Sequence, residues 1–104
     1  MTQQAADPFD ALADPQRRAI LELLRGGERS VREIADDMPI TRPAVSRHLR
    51  LLKEAELVTV SAEGTRRLYR LHDAGLDAVR SYLEDVWGDA IDRFRLLAEN
   101  HDSR

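Results

Sequence analysis

The sequence TRPAVSRHLRLLK, residues 41–53, combines a basic face with an apolar face when it is drawn as a helix. At about 100° per residue in a helix, one half of this segment carries basic and hydroxyl side chains, namely Arg42, Ser46, Arg47, Arg50 and Lys53. The other half carries Val45, Leu49 and Leu52 at the i, i+4, i+7 spacing of a buried stripe. A helix held to a core by one face and offering guanidinium and hydroxyl groups on the other suits the major groove of DNA.

Local signals place a short helix and a turn directly before this segment. Ser30-Val31-Arg32-Glu33 has the pattern of a capping box and predicts a helix from Val31 to about Asp37. Pro39 cannot continue that helix, and Thr41 caps the next one, with Pro43 in its first turn. A short helix, a turn and a longer helix over residues 30–53 have the order of a helix-turn-helix.

The N-terminal part is predicted to be a polar tail followed by two helices. Residues 1–8 are expected to be disordered, and a short helix is expected over Phe9–Ala13. Asp14-Pro15 begins a second helix, which runs to about Arg25 and ends at two glycines.

Two strands are predicted after the helix-turn-helix. Residues 57–60 (LVTV) and 66–71 (RRLYRL) are predicted as strands on either side of a turn at 62–65, where Gly64 can take positive φ. A basic hairpin over residues 57–71 in this position is the wing of a winged helix.

A long helix is predicted over residues 74–100. Its apolar residues recur at spacings of three and four: Leu76, Val79, Leu83, Val86, Trp87, Ala90, Ile91, Phe94, Leu97 and Ala98. Such a helix would be about 40 Å long, which is more than a small domain can cover. We expect it to pack against a second copy of the chain, with Trp87 and Phe94 in the core of the interface. The alternatives are that it wraps its own domain, or that these two aromatic residues line an effector pocket.

Length and composition limit the classes of protein to which this chain can belong. The 104 residues predict one domain, mainly α with a small β-hairpin wing, spanning 1–104. The net charge is −3, yet residues 41–72 hold 7 basic and 3 acidic residues, which favours a polyanionic partner. There is no cysteine, no signal-peptide pattern and no apolar run long enough for a membrane span. We therefore expect a cytoplasmic protein.

Four linked motifs carry a family resemblance. LADPQRRAIL at 12–21, RSVREIA at 29–35, PAVSRHLRLL at 43–52 and GTRRLYR at 64–70 resemble ArsR/SmtB-type winged-helix transcriptional repressors. The resemblance implies a homodimeric repressor on a two-fold symmetric double-stranded DNA operator. It also implies DNA contacts from the helix-turn-helix and wing, and a dimer interface from the first and last helices. The expected interface residues are Phe9, Leu83, Trp87, Ile91 and Phe94.

The chain departs from the metal-sensing members of that family. Their cysteine-rich motif would fall at residues 34–38, where this chain has IADDM, and no Asp-x-His pattern occurs. The resemblance is therefore to the metal-independent branch, with no metal or other cofactor and an unidentified effector. The alternative is a zinc site between chains that involves Asp89, Asp92 and His101.

The predicted DNA-binding residues are Thr41, Arg42, Ser46, Arg47, Arg50, Arg66 and Arg67. Lys53 is expected to contact phosphate or solvent. For His48, a packed or hydrogen-bonded edge position is favoured over a base contact, because its helical angle groups it with the apolar stripe. Arg66 and Arg67 are expected on opposite faces of the wing strand. For Arg70, the alternative to a DNA contact is an ion pair with a carboxylate of its own chain.

No pattern in the sequence predicts an enzyme. The three histidines are scattered, and Asp36 and Asp37 are helix neighbours pointing about 100° apart, which does not form a shared acid–base site. The rival to DNA binding is a winged helix that serves protein contacts instead.

Overall fold

The computed structural model describes residues 7–102, and the side chains of 7–90 and 92–99. The elements in chain order are α1 (Pro8–Ala13), α2 (Pro15–Leu24), β1 (Arg29–Ser30), α3 (Val31–Asp36), α4 (Arg42–Glu54), β2 (Val58–Glu63), β3 (Arg66–Leu71) and α5 (Ala74–Asp102). The fold is the expected one, mainly helical with a winged helix-turn-helix and a long C-terminal helix.

Helix starts are fixed by side-chain caps that the sequence predicts. Asp14 accepts a hydrogen bond from Gln16 N at 2.7 Å, and Thr41 accepts one from Ala44 N at 3.2 Å. Ser30 and Glu33 form the reciprocal capping box at the start of α3.

The start of α1 corrects one expectation. Pro8, placed at the end of a disordered segment, is the first residue of α1, because Asp7 caps the helix by accepting from Phe9 N at 2.9 Å. Residues 1–6 of that segment lie outside the described residues.

The core lies where α2, α3 and α4 meet beneath the sheet. Its fully buried side chains are Ile20, Leu24, Ile34, Val45, Leu49, Leu52 and Val58. The apolar stripe of residues 41–53 therefore holds α4 against the core, and its basic half faces outward.

The wing belongs to a three-stranded antiparallel sheet of order β1-β3-β2, where a two-stranded hairpin was predicted. β2 and β3 pair from Val58 with Leu71 to Glu63 with Arg66, so Gly64, at φ 65°, and Thr65 form the turn. In the additional strand, Ser30 pairs with Leu68, which brings the start of α3 beside the start of β3. Two residues are too few for an alternating pattern to predict.

A tight junction joins α4 to α5. Gly75 donates from its backbone N to Glu56 O at 2.8 Å, just after α4 ends. A Cβ atom at this position would meet the carbonyl oxygen of Ala55, so the junction requires a residue without a side chain. Gly75 is buried, and it sets where α5 leaves the domain.

Helix α5 extends beyond the domain and is largely uncovered. The radius of gyration is 17.1 Å, whereas a compact chain of this length has about 13 Å. Phe94 is 73% exposed, and Trp87 and Leu83 are each nearly half exposed. Within the described residues, no helix is both long and apolar enough to cross a membrane.

Candidate nucleic-acid interface

The candidate recognition surface is the outer face of α4. Val45, Leu49 and Leu52 have no exposed surface, so the rotation of the helix about its axis is fixed. The side chains on the opposite face are all exposed, namely Arg42, Ser46, Arg47, Arg50 and Lys53. The core therefore presents one hydroxyl and four cations together on a single face.

The cationic side chains of α4 differ from several other arginines of the protein because they form no ion pair with a carboxylate in the described part of the chain. In the described part of the chain, Arg29, Arg66 and Arg80 each pair with a carboxylate at 3.1–3.4 Å. No such ion pair involves Arg42, Arg47, Arg50 or Lys53 within that part. Their donors remain available to an external acceptor such as phosphate or a base edge.

Thr41 has a structural role at this surface. Its Oγ1 accepts from Ala44 N, and the side chain is exposed. The hydroxyl proton is not used by the cap, so the same group can donate to an acceptor outside the helix.

His48 lies at the packed edge of α4, as the sequence favours. The side chain is half-buried, and Nδ1 lies 3.5 Å from Nη1 of Arg17 in α2. The imidazole is thus part of the contact between α2 and α4.

The wing supplies two further exposed arginines. Arg66 pairs with Glu33 of α3 at 3.4 Å, while Arg67 has no ion pair in the described part of the chain. Arg70 pairs with Glu28 at 3.9 Å, which agrees with the expectation of a partner in its own chain.

Glu33 of α3 connects the helix-turn-helix to the wing through its ion pair with Arg66. A hydrogen bond from the backbone N of Ser30 is the main cause that lowers the pKa of Glu33 below its usual value despite desolvation, and the Ser30 hydroxyl and Arg66 contribute less in the same direction. This carboxylate is therefore ionised at neutral pH and keeps Arg66 near α3.

Arg32 is a residue that the sequence analysis did not select. It borders a cleft of about 390 Å³ together with Arg42, Arg66 and Arg67. Arg32 lies outside the basic segment 41–72, so the charge count gave no signal for it. It lies within the capping box 30–33, and no local pattern there indicates that it meets the wing.

The candidate dimer surface joins α1 and α5. The rings of Phe9 and Tyr82 meet edge-on at 5.2 Å, and those of Tyr82 and Trp87 at 6.2 Å. Tyr82 was not among the predicted interface residues, because its helical angle lies beside the main stripe. Leu83 and Phe94 are exposed, whereas the side chain of Ile91 lies outside the described residues.

The described residues contain no group of three side chains suited to hold a metal ion. Asp89 and Asp92 lie exposed on α5. The side chain of His101, the third member of the alternative zinc site, lies outside the described residues.

A helix-turn-helix with an outward basic helix, a paired wing and a long projecting helix defines a winged helix-turn-helix regulator. The family model for bacterial regulatory proteins of the arsR family matches residues 14–60. The chain belongs to the ArsR family of transcriptional regulators, which are not enzymes.

Named relatives support this assignment. The chain is 46% identical over 92 residues to the HTH-type transcriptional regulator Rv2034 of Mycobacterium tuberculosis, covering 88% of this chain and 86% of that protein. It is 41% identical over 64 residues to the transcriptional repressor SdpR of Bacillus subtilis, covering 62% and 71%.

Solved structures share the fold. A crystal structure of a possible transcriptional regulator for arsenical resistance has a TM-score of 0.72 and 41% identity, over 89% of this chain and 95% of that one. A solution structure from Mycobacterium bovis, described as a homodimeric winged helix-turn-helix DNA-binding domain, has a TM-score of 0.63 and 36% identity. The match covers 85% of this chain and 82% of that domain.

Proposed function

We propose that this protein is a homodimeric transcriptional repressor that binds a two-fold symmetric DNA operator in the cytoplasm. The observation that carries the proposal is the exposed face of α4, whose four cations have no ion-pair partner in the described part of the chain. Four uncompensated cations on one face of an acidic protein favour binding to a polyanion.

Residue roles follow from position on α4. Arg47 and Arg50 lie in the middle of the helix, where a guanidinium can donate two hydrogen bonds to guanine O6 and N7 in the major groove. Arg42 and Thr41 lie at the helix start. Ser46 can donate to a phosphate or a base.

The wing extends the surface. Arg66 and Arg67 lie at the start of β3, next to the turn, and can contact phosphates or the minor groove. Lys53, at the far end of α4, suits a phosphate contact.

The homodimer follows from the apolar surface of α5. Phe9, Leu83, Trp87 and Phe94 are large apolar side chains at least 40% exposed. A second copy would bury them, with Ile91 on the same helix, and would double the number of DNA contacts. The description of the Mycobacterium bovis relative as a homodimer supports this arrangement.

We propose that repression does not depend on a metal. The segment 34–38 has no cysteine, and the described residues offer no cluster of three metal ligands. Operator affinity measured with added zinc and with a chelator tests this point. Equal affinities support it, and a tenfold difference contradicts it.

The proposal is tested by selecting fragments of the source genome with the purified protein and sequencing them. We expect a pair of inverted half-sites about 34 Å apart. The logarithm of affinity for the selected site should fall linearly with the logarithm of salt concentration, by about 0.9 for each neutralised phosphate. Absent or salt-insensitive DNA binding would instead favour a protein-interaction module.

A further inference from the structure

A basic cleft lies between the wing and the helix-turn-helix. Arg32 of α3, Arg42 of α4 and Arg66 and Arg67 of β3 border its volume of about 390 Å³. Its remaining lining residues are Ser30, Val31 and Thr65, so no carboxylate borders it. Three separate elements thus bring four guanidinium groups to one place.

The fold explains why these groups meet. Ser30 pairs with Leu68 in the sheet, so the first turn of α3 lies beside the first residues of β3. Arg66 bonds to Glu33 across this junction at 3.4 Å, which fixes the wing strand against α3. Arg42 is the first residue of α4 and closes the cleft from the other side.

Charge compensation inside the protein is incomplete. Glu33 is the neighbouring acid, and its Oε1 already accepts from Ser30 N at 2.8 Å as well as from Arg66. In the described part of the chain, Arg32, Arg42 and Arg67 have no ion pair. Like charges held this close repel one another, so the cleft favours an anionic occupant.

We propose that this cleft holds a phosphodiester group of the DNA backbone, with Arg32 as an additional DNA-binding residue. The inference rests on the proposed DNA-binding function. The lining offers cationic and hydroxyl donors, which match phosphate oxygens, the anionic groups of DNA. Because a phosphate has no sequence identity, the cleft contributes affinity and orients the protein without selecting bases.

The test is binding of Arg32→Ala to the selected operator and to an unrelated duplex of equal length, over a range of salt concentrations. A lost phosphate contact should weaken binding to both duplexes by a similar factor, roughly tenfold. The slope of log affinity against log salt should fall by about 0.9 for each protomer.

Two control variants distinguish a phosphate contact by Arg32 from a nonspecific effect of removing a positive charge. Arg32→Lys keeps the charge and should keep the salt slope of the wild type. Arg25→Ala removes an exposed arginine from the end of α2, away from the cleft, and should change neither affinity nor slope. Melting curves of all variants check that the fold is intact, and we expect no change for Arg32, which is exposed.

These measurements test the phosphate site in the cleft and the proposed DNA-binding function independently. Salt-dependent binding by the wild-type protein tests the DNA interface itself. If the wild type binds and Arg32→Ala binds equally well with the same slope, the phosphate site is overturned while the function stands. A loss confined to the operator, at an unchanged slope, would also overturn it, since that result indicates base contact.

Discussion

Arg17 and His48 connect the N-terminal helices to α4, with Nη1 of Arg17 lying 3.5 Å from Nδ1 of His48. The same guanidinium donates from Nε to Ala11 O at 2.9 Å and from Nη2 to Asp10 O at 3.1 Å, near the end of α1. The helix that packs against α5 is therefore linked through one side chain to the helix proposed to read DNA.

Arg17→Ala should lower the free energy of unfolding by about 1–3 kcal/mol, because carbonyl groups in a partly buried site lose their donors. The Arg17 side chain is only 14% exposed. Arg18→Ala is the matched control, since Arg18 donates to Leu12 O and Ala13 O but is exposed, so water can replace it. Urea unfolding measures both, and equal losses would contradict the role of Arg17.

Stability should fall on the acid side partly because of Asp14. The hydrogen bond from Gln16 N, aided by Arg17, lowers the pKa of Asp14 below its usual 3.8 despite some desolvation. A lowered pKa in the folded state stabilises the fold above the unfolded pKa, and this contribution is lost as pH falls through the folded value. Asp14→Asn keeps a cap without the charge, so its melting temperature should fall less steeply between pH 5 and pH 3. Parallel curves for both proteins would contradict this.

Gly75→Ala should destabilise the protein by about 1–3 kcal/mol, because the new Cβ would collide with the carbonyl of Ala55. Gly88→Ala is the control: in the described part of the chain, no atom other than those of its chain neighbours and its own helix backbone lies within 4 Å of the added Cβ, and alanine is the better helix former by about 1 kcal/mol. Thermal melting should place Gly75→Ala below the wild type and Gly88→Ala at or above it. The reverse order would show that the junction after α4 tolerates a side chain.

Phe94→Asp should dissociate the proposed dimer, since the interface would bury a charge within the apolar stripe of α5. Leu96→Asp is the matched control on the same helix, because Leu96 is also exposed, at 60%, and lies about 160° away from Phe94 around the helix axis. Sedimentation velocity should show a monomer for the first variant and a dimer for the second. A dimeric Phe94→Asp protein would show that α5 is not the main interface.

Local signals predicted much of this fold. The caps at Asp14, Ser30 and Thr41 need only residues two or three positions away, and the stripe of α4 needs only helical periodicity. Strand β1 and the role of Gly75 depend on partners distant in sequence, at Leu68 and Ala55, and were missed. No local pattern encodes such pairings.

Only part of the candidate site could be predicted, because some of its residues are brought together by contacts that are distant in sequence. The outward face of α4 follows from its buried stripe, so its basic residues were found from sequence. Arg32 meets the wing only because β1 pairs with β3, and Tyr82 meets Phe9 only because α1 packs on α5. Tertiary structure is needed to place both.

The most direct test of the central claim is operator affinity of Arg47→Ala, measured by fluorescence anisotropy beside Arg25→Ala at one salt concentration. If the outer face of α4 reads DNA, the Arg47 variant should lose about 1–3 kcal/mol of specific binding while remaining dimeric, and the Arg25 variant should bind like the wild type. Wild-type affinity in a folded, dimeric Arg47→Ala protein would contradict the account.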